Sequence, residues 1–194
     1  MLVSVVLNAL IVVIVTWCVI VGVKQMKPAG RFFMFFTTLS NVLLAVSSAV
    51  LLACPYGAMP VWAVMLKYSG TAAVTVTMLT VLLFLGPVSH EWKLLLTGAQ
   101  LMLHLICPLL ALCSFIFFEG IALPLWTVVL GVLPVLLYGA VYCRMVVFAP
   151  EERRWDDFYG FNAAGRWAAS MAVMFSAAVA IAFAVFFAHA AFAA

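Results

Sequence analysis

Charge spacing constrains this chain more than any other feature. Its 9 basic and 6 acidic residues sit mostly in short breaks between apolar runs. The runs are about 20 residues long, enough to cross a bilayer as a helix. Inside hydrocarbon each backbone amide needs a partner within the chain, and runs of this length without strand alternation satisfy that as helices. The first run spans Leu2 to Val23 and ends at Lys24, Lys27, Pro28, Gly30 and Arg31, a basic turn with two helix breakers. The second covers Phe32 to Ala53 and stops at Cys54-Pro55-Tyr56-Gly57, and the third covers Val61 to Leu85 and closes at Gly86-Pro87. A polar turn, Ser89 to Lys93, leads to the fourth, Leu94 to Phe118. Glu119, Gly120 and Pro124 precede the fifth, which reaches Phe148, and a long loop then leads to a sixth from Arg166.

The predicted fold is therefore an all-α, polytopic transmembrane bundle of about six helices, with residues 1–194 forming a single domain. The first run lacks the basic leader of a cleavable signal and exceeds a usual signal core, so it reads as a span. Lys24, Lys27, Arg31, Lys93, Arg144, Arg153, Arg154 and Arg166 all fall at the first, third and fifth connections. By the positive-inside rule those connections are cytoplasmic and both termini external. Lys67 is the one basic residue toward the other side, where a long side chain can snorkel to the surface.

A net charge of +3, scattered as here, excludes a nucleic-acid-binding surface. The five cysteines show no paired metal spacing, and no phosphate loop, dinucleotide fingerprint or His-Glu-x-x-His motif occurs. The expectation is a protein with no cofactor and no metal, whose partners are membrane lipids. In the sixth span Ala168, Ala172, Ser176, Ala180, Ala184 and Ala188 form a small-residue stripe of the kind that lets membrane helices approach closely. Trp155, Phe158, Tyr159 and Phe161, in the mixed-charge loop, read as interfacial anchors. His90 and His189 lie near span ends.

Polar groups inside a span cost a few kcal/mol each unless partnered, so they mark places where helices meet or water enters. The second span carries Thr37, Thr38, Ser40 and Asn41 between apolar flanks. The fourth carries His104, followed four residues later by Pro108, which removes the amide that would bond the His104 carbonyl. At 1.5 Å per residue, Thr37 and Thr38 lie roughly 10 Å, and His104 about 15 Å, from the basic ends of their spans. Thr77 and Thr80 of the third span reach a similar depth and are candidates for lining a polar cavity. A threonine hydroxyl becomes nucleophilic only when a base removes its proton, so chemistry requires the threonine–histidine pair. Ser40 and Asn41 are the candidate oxyanion or polar support groups. Without that pairing the same residues read as packing and interhelical hydrogen bonding, in a bundle that carries, senses or scaffolds a lipid or small ligand.

Phe36-Thr37-Thr38-Leu39-Ser40-Asn41, taken with Leu103-His104-Leu105-Ile106-Cys107-Pro108-Leu109, resembles the androgen-induced and androgen-dependent TFPI-regulating membrane proteins. The order of spans and the Leu123-Pro124-Leu125-Trp126 start of the fifth are also similar. The resemblance is to bacterial relatives, which implies a bacterial cytoplasmic membrane. It further implies an intramembrane hydrolase or acyl transferase acting on fatty-acyl esters, with one threonine and one histidine catalytic. Spacing from Asn41 leaves both Thr37 and Thr38 open as the nucleophile.

Overall fold

A computed structural model describes residues 2–54 and 59–193. Pro55, Tyr56 and Gly57, assigned above to the break after the second span, lie outside the described residues. Within them the chain forms 6 helices long and apolar enough to cross a membrane, and no strand. These are α1 (Leu2–Gln25), α2 (Phe36–Ala53), α3 (Val61–Ser89), α4 (Gly98–Phe118), α5 (Leu125–Phe148) and α6 (Trp167–Ala190). Arg31, Lys93 and Arg144 share one end of the bundle, here the basic end.

The helix α3 is the centre. It packs against α2, α4, α5 and α6, while α1 closes the circle between α2 and α4. Every residue from Lys67 to Met78 is buried. The composition explains why: Ser69, Gly70, Thr71, Ala72, Ala73, Thr75 and Thr77 are small, and small residues let neighbouring backbones approach where no hydrophobic drive acts between helices. A Cβ at Gly70 would sit 2.9 Å from the Leu44 Cα of α2, so that crossing requires glycine. The hydroxyls then bond across helices, Tyr68 to the Ala182 carbonyl and Ser69 to the Leu130 carbonyl, each at 2.7 Å.

Two expectations are corrected. The small-residue stripe of α6 does not pack inward: Ala168, Ala172, Ser176, Ala180 and Ala184 are exposed. The buried stripe is Ala178, Ala182, Val185, Phe186 and His189. Alanine occurs on both sides of α6, so spacing alone does not choose its rotation; the Tyr68 bond to Ala182 and the seating of His189 do. His189 is a core residue, with Nδ1 2.8 Å from the Phe115 carbonyl, Nε2 2.9 Å from the Ile121 carbonyl, and its ring stacked on Phe115.

Lys67 does not snorkel either; its side chain is 0% exposed. Its ammonium donates to Asn8 Oδ1 at 2.7 Å and Ser48 Oγ at 2.8 Å. Asn8 in turn donates to Glu119 Oε1 at 2.8 Å, and Ser114 donates to the same oxygen. The Asn8 amide thus links a buried cation to a buried carboxylate, and α1, α2, α3 and α4 meet there, at the end opposite the basic one.

Near the basic end α3, α4 and α5 each contain one π-helical turn: Val81–Leu85, Met102–Ile106 and Arg144–Phe148. Such turns insert a residue into the hydrogen-bond ladder and re-aim the side chains around it.

Candidate functional site

The geometry begins with Pro108. In α4 the Cys107 amide bonds back five residues to the Met102 carbonyl. In that register Pro108 stands opposite the Leu103 carbonyl and has no N–H to give it. The orphan is therefore the carbonyl of Leu103, and not that of His104 as a regular helix requires. Asn41 of α2 fills the vacancy: its Nδ2 donates to the Leu103 carbonyl at 3.1 Å and to the Thr37 carbonyl at 2.8 Å. One amide thereby ties the backbone beside His104 to the backbone of Thr37. Ser40 closes the arrangement from behind, bonded to the Thr37 carbonyl at 3.1 Å and to Thr77 Oγ1 at 2.9 Å.

That register turns His104 toward α2. Its Nδ1 lies 2.8 Å from the Leu95 carbonyl, and its Nε2 lies 3.3 Å from Thr37 Oγ1. A carbonyl oxygen can only accept, so Nδ1 carries the proton and Nε2 presents its lone pair to the threonine hydroxyl. The Leu95 carbonyl is free for this role because the single helical turn Trp92–Leu95 ends there. Gly98, at φ +54°, then reverses the chain into α4, a conformation that favours glycine. His104 is 6% exposed, whereas Thr37 is only partly buried and can be reached.

Thr37 is the second residue of α2, just after the extended Phe35. Helix starts leave backbone N–H groups without intrahelical partners. Here the Phe36 N–H donates to the Tyr159 phenol oxygen at 3.1 Å. Tyr159 comes from the loop between α5 and α6, which folds back over the basic end. Asp157 shapes that loop, accepting from the Phe161 amide at 2.7 Å and the Asn162 amide at 2.8 Å. Phe158 packs on Phe35, ring centroids 4.5 Å apart, and Phe161 is buried against α5. These aromatics are structural elements of the site more than interfacial anchors. Burial pushes the Tyr159 phenol above its ordinary pKa, against the pull of the Phe36 and Thr37 amides, so it stays a neutral hydroxyl near pH 7.

Between these groups lies a cavity of about 340 Å³. Thr37, Thr38, His104 and Tyr159 line it on one side, and Leu85 and Leu94 are among its apolar walls. A second cavity of about 150 Å³ shares Met26, Phe32, Gln100 and Leu103 with it. No protein-family model, curated protein or solved structure matches this chain.

The structure brings Thr37, Ser40, Asn41, Thr77 and His104 into one cluster, and within it Thr37 is the threonine that meets His104. Thr38 is buried beside the cavity without a bond to the imidazole. Thr77 supports Ser40, and neither Thr77 nor Thr80 lines the cavity. Asn41 Nδ2 and the Ser40 hydroxyl are engaged with carbonyls, which leaves them as positioning groups with no donor aimed at the cavity. Among the described residues no three His, Cys, Asp or Glu side chains gather as a metal site would need. Sequence alone does not single out Tyr159. The available signal was the density of aromatics in the one connection long enough to fold back over the bundle.

Proposed function

We propose that this is a multi-pass membrane protein that hydrolyses or transfers the acyl group of a lipid ester, with Thr37 as nucleophile and His104 as general base. The observation that carries the reading is His104 held between an acceptor on Nδ1 and a hydroxyl on Nε2. That tautomer is the one a general base requires. An apolar-walled cavity beside it suits a fatty-acyl chain, and the positive-inside rule puts this site in the cytoplasmic leaflet. The resemblance of the α2 and α4 motifs to intramembrane threonine hydrolases points the same way.

In this scheme Thr37 Oγ1 attacks the ester carbonyl carbon while His104 Nε2 takes the hydroxyl proton. The tetrahedral intermediate collapses, the bond to the alcohol oxygen breaks, and the imidazolium returns its proton to the departing alkoxide. The Leu95 carbonyl holds Nδ1–H throughout and steadies the transient cation. Water, or a second alcohol in the transfer reaction, then attacks the acyl-threonine carbonyl while His104 again takes the proton. The acyl product leaves and the Thr37 hydroxyl is restored. Such acid–base assistance contributes roughly 10²–10⁴-fold.

Labelling of the purified protein in detergent with a fluorophosphonate hydrolase probe tests the reading. Wild type is expected to be labelled, and Thr37→Ala and His104→Ala to lose the label while melting as folded proteins. Unchanged labelling and ester turnover in Thr37→Ala would overturn it and leave a cavity that binds without chemistry. The topology has its own test: a cysteine at Asp156 should escape an impermeant thiol reagent in intact cells.

A further inference from the structure

With Asn41 and Ser40 turned to carbonyls, the proposed reaction lacks a donor for the oxyanion that forms when Thr37 attacks. We infer that the Tyr159 hydroxyl is that donor, making the loop between α5 and α6 part of the catalytic machinery. The inference rests on the threonine–histidine reading above.

Three observations converge on Tyr159. Its side chain lines the same cavity as Thr37 and His104. Its oxygen accepts from the Phe36 amide at 3.1 Å, which seats the phenol at the start of α2, one residue before Thr37. Its own O–H donates to no backbone carbonyl among the described residues, unlike the adjoining Tyr138, which donates to the Met34 carbonyl at 2.8 Å. A phenol that already accepts and has a proton left to give is polarised toward a new acceptor. The carbonyl oxygen of an ester whose carbon lies at Thr37 Oγ1 supplies one.

The start of α2 adds to this. The positive end of the helix dipole favours negative charge at that point. Tyr159 thus couples the developing oxyanion to the Phe36 N–H through its own oxygen. No proton changes hands at Tyr159: the hydroxyl donates a hydrogen bond to the oxyanion and retains its hydrogen when the intermediate collapses.

The experiment compares hydrolysis of 4-nitrophenyl octanoate with that of its thiono analogue, whose C=S sulfur is a weaker acceptor, by the full-length protein in detergent. Loss of one oxyanion donor lowers kcat by about 100-fold, so Tyr159→Phe should cut oxoester turnover by that order with little change in KM. It should also lower the oxoester-to-thionoester rate ratio by about tenfold or more, because the thiono substrate never used the donor fully. A purely structural defect lowers both rates together, and the ratio cancels the folded fraction. If Tyr159→Phe does not fold, 3-fluorotyrosine at position 159 keeps the hydroxyl and makes it a stronger donor, and must raise the ratio. A wild-type ratio in Tyr159→Phe, or in the fluorinated protein, overturns the assignment while Thr37 and His104 stand. A wild type that cleaves neither ester, and takes no probe, overturns the parent reading and this assignment with it.

Discussion

The bundle holds two buried polar clusters, one at each end, and they are built on opposite terms. At the basic end His104 and Tyr159 are held by a backbone carbonyl and a backbone amide beside a cavity, with Thr37 Oγ1 3.3 Å from His104 Nε2. At the far end Lys67 and Glu119 carry formal charge, and Asn8, Ser48 and Ser114 fill the space between them. No residue of that cluster lines either cavity described above. A packed set of charges joined through hydrogen-bonding side chains locks helices together, although Glu119 Oε2 has no partner among the described residues. A pre-set donor and acceptor with room beside them is arranged to receive a substrate. The more strongly polar cluster is therefore the structural one, and the milder one is the candidate for chemistry.

The far end should show the largest response in stability. Lys67→Met strands the Glu119 carboxylate, and Glu119→Leu strands the ammonium; removing one member of a buried charge pair costs about 3–5 kcal/mol. Denaturation in detergent should register that loss in each single variant, and the variant carrying both changes should be more stable than either. A double variant that is worse than both singles would mean that the residues act separately, and the contrast between the two ends would fail. At the basic end His104→Ala should slow ester turnover by roughly 10²–10⁴-fold, while the Leu95 carbonyl left without its donor costs about 1–3 kcal/mol, less than either charge variant.

Asn41 sharpens the comparison because it belongs to the basic end and yet plays the part Asn8 plays at the other. Asn41→Ala leaves the Leu103 carbonyl without its donor, at a cost of about 1–3 kcal/mol, and loosens the link between Thr37 and His104. Both stability and turnover should fall, with turnover reduced but not lost. The smallest effect is expected at the rim, where Arg31 meets Asp156 at 2.9 Å with both side chains largely exposed. Solvent screening limits such a pair to under about 1 kcal/mol, so Arg31→Ala should shift the midpoint little and less still in high salt.

Much of the site was legible in residues whose chemistry conflicts with their surroundings. A histidine and an asparagine inside apolar runs demand partners, and Asn41 and His104 stand out on that ground alone. Lys67 raised the same demand, yet sequence has two ways to meet it: a long side chain reaching the surface, or partners on other helices. The second holds because Asn8 and Glu119, far apart along the chain, arrive at the same depth. Thr37 and Thr38 were equivalent in sequence for a similar reason. They differ by one step of about 100° around a helix, and nothing local fixes which of them faces α4.

What sequence determined by itself is whatever depends on composition along one segment: six helices and, to within a few residues, where they run. Those follow from the cost of an unpaired amide or charge in hydrocarbon, which each segment meets alone. Tertiary structure decided the rotations. The outward stripe on α6, the π turn that passes the orphan carbonyl from His104 to Leu103, and the return of Tyr159 over the start of α2 all arise where one helix completes the hydrogen bonds of another. Such complementarity is a property of pairs of segments far apart in the chain, and periodicity within either one does not contain it.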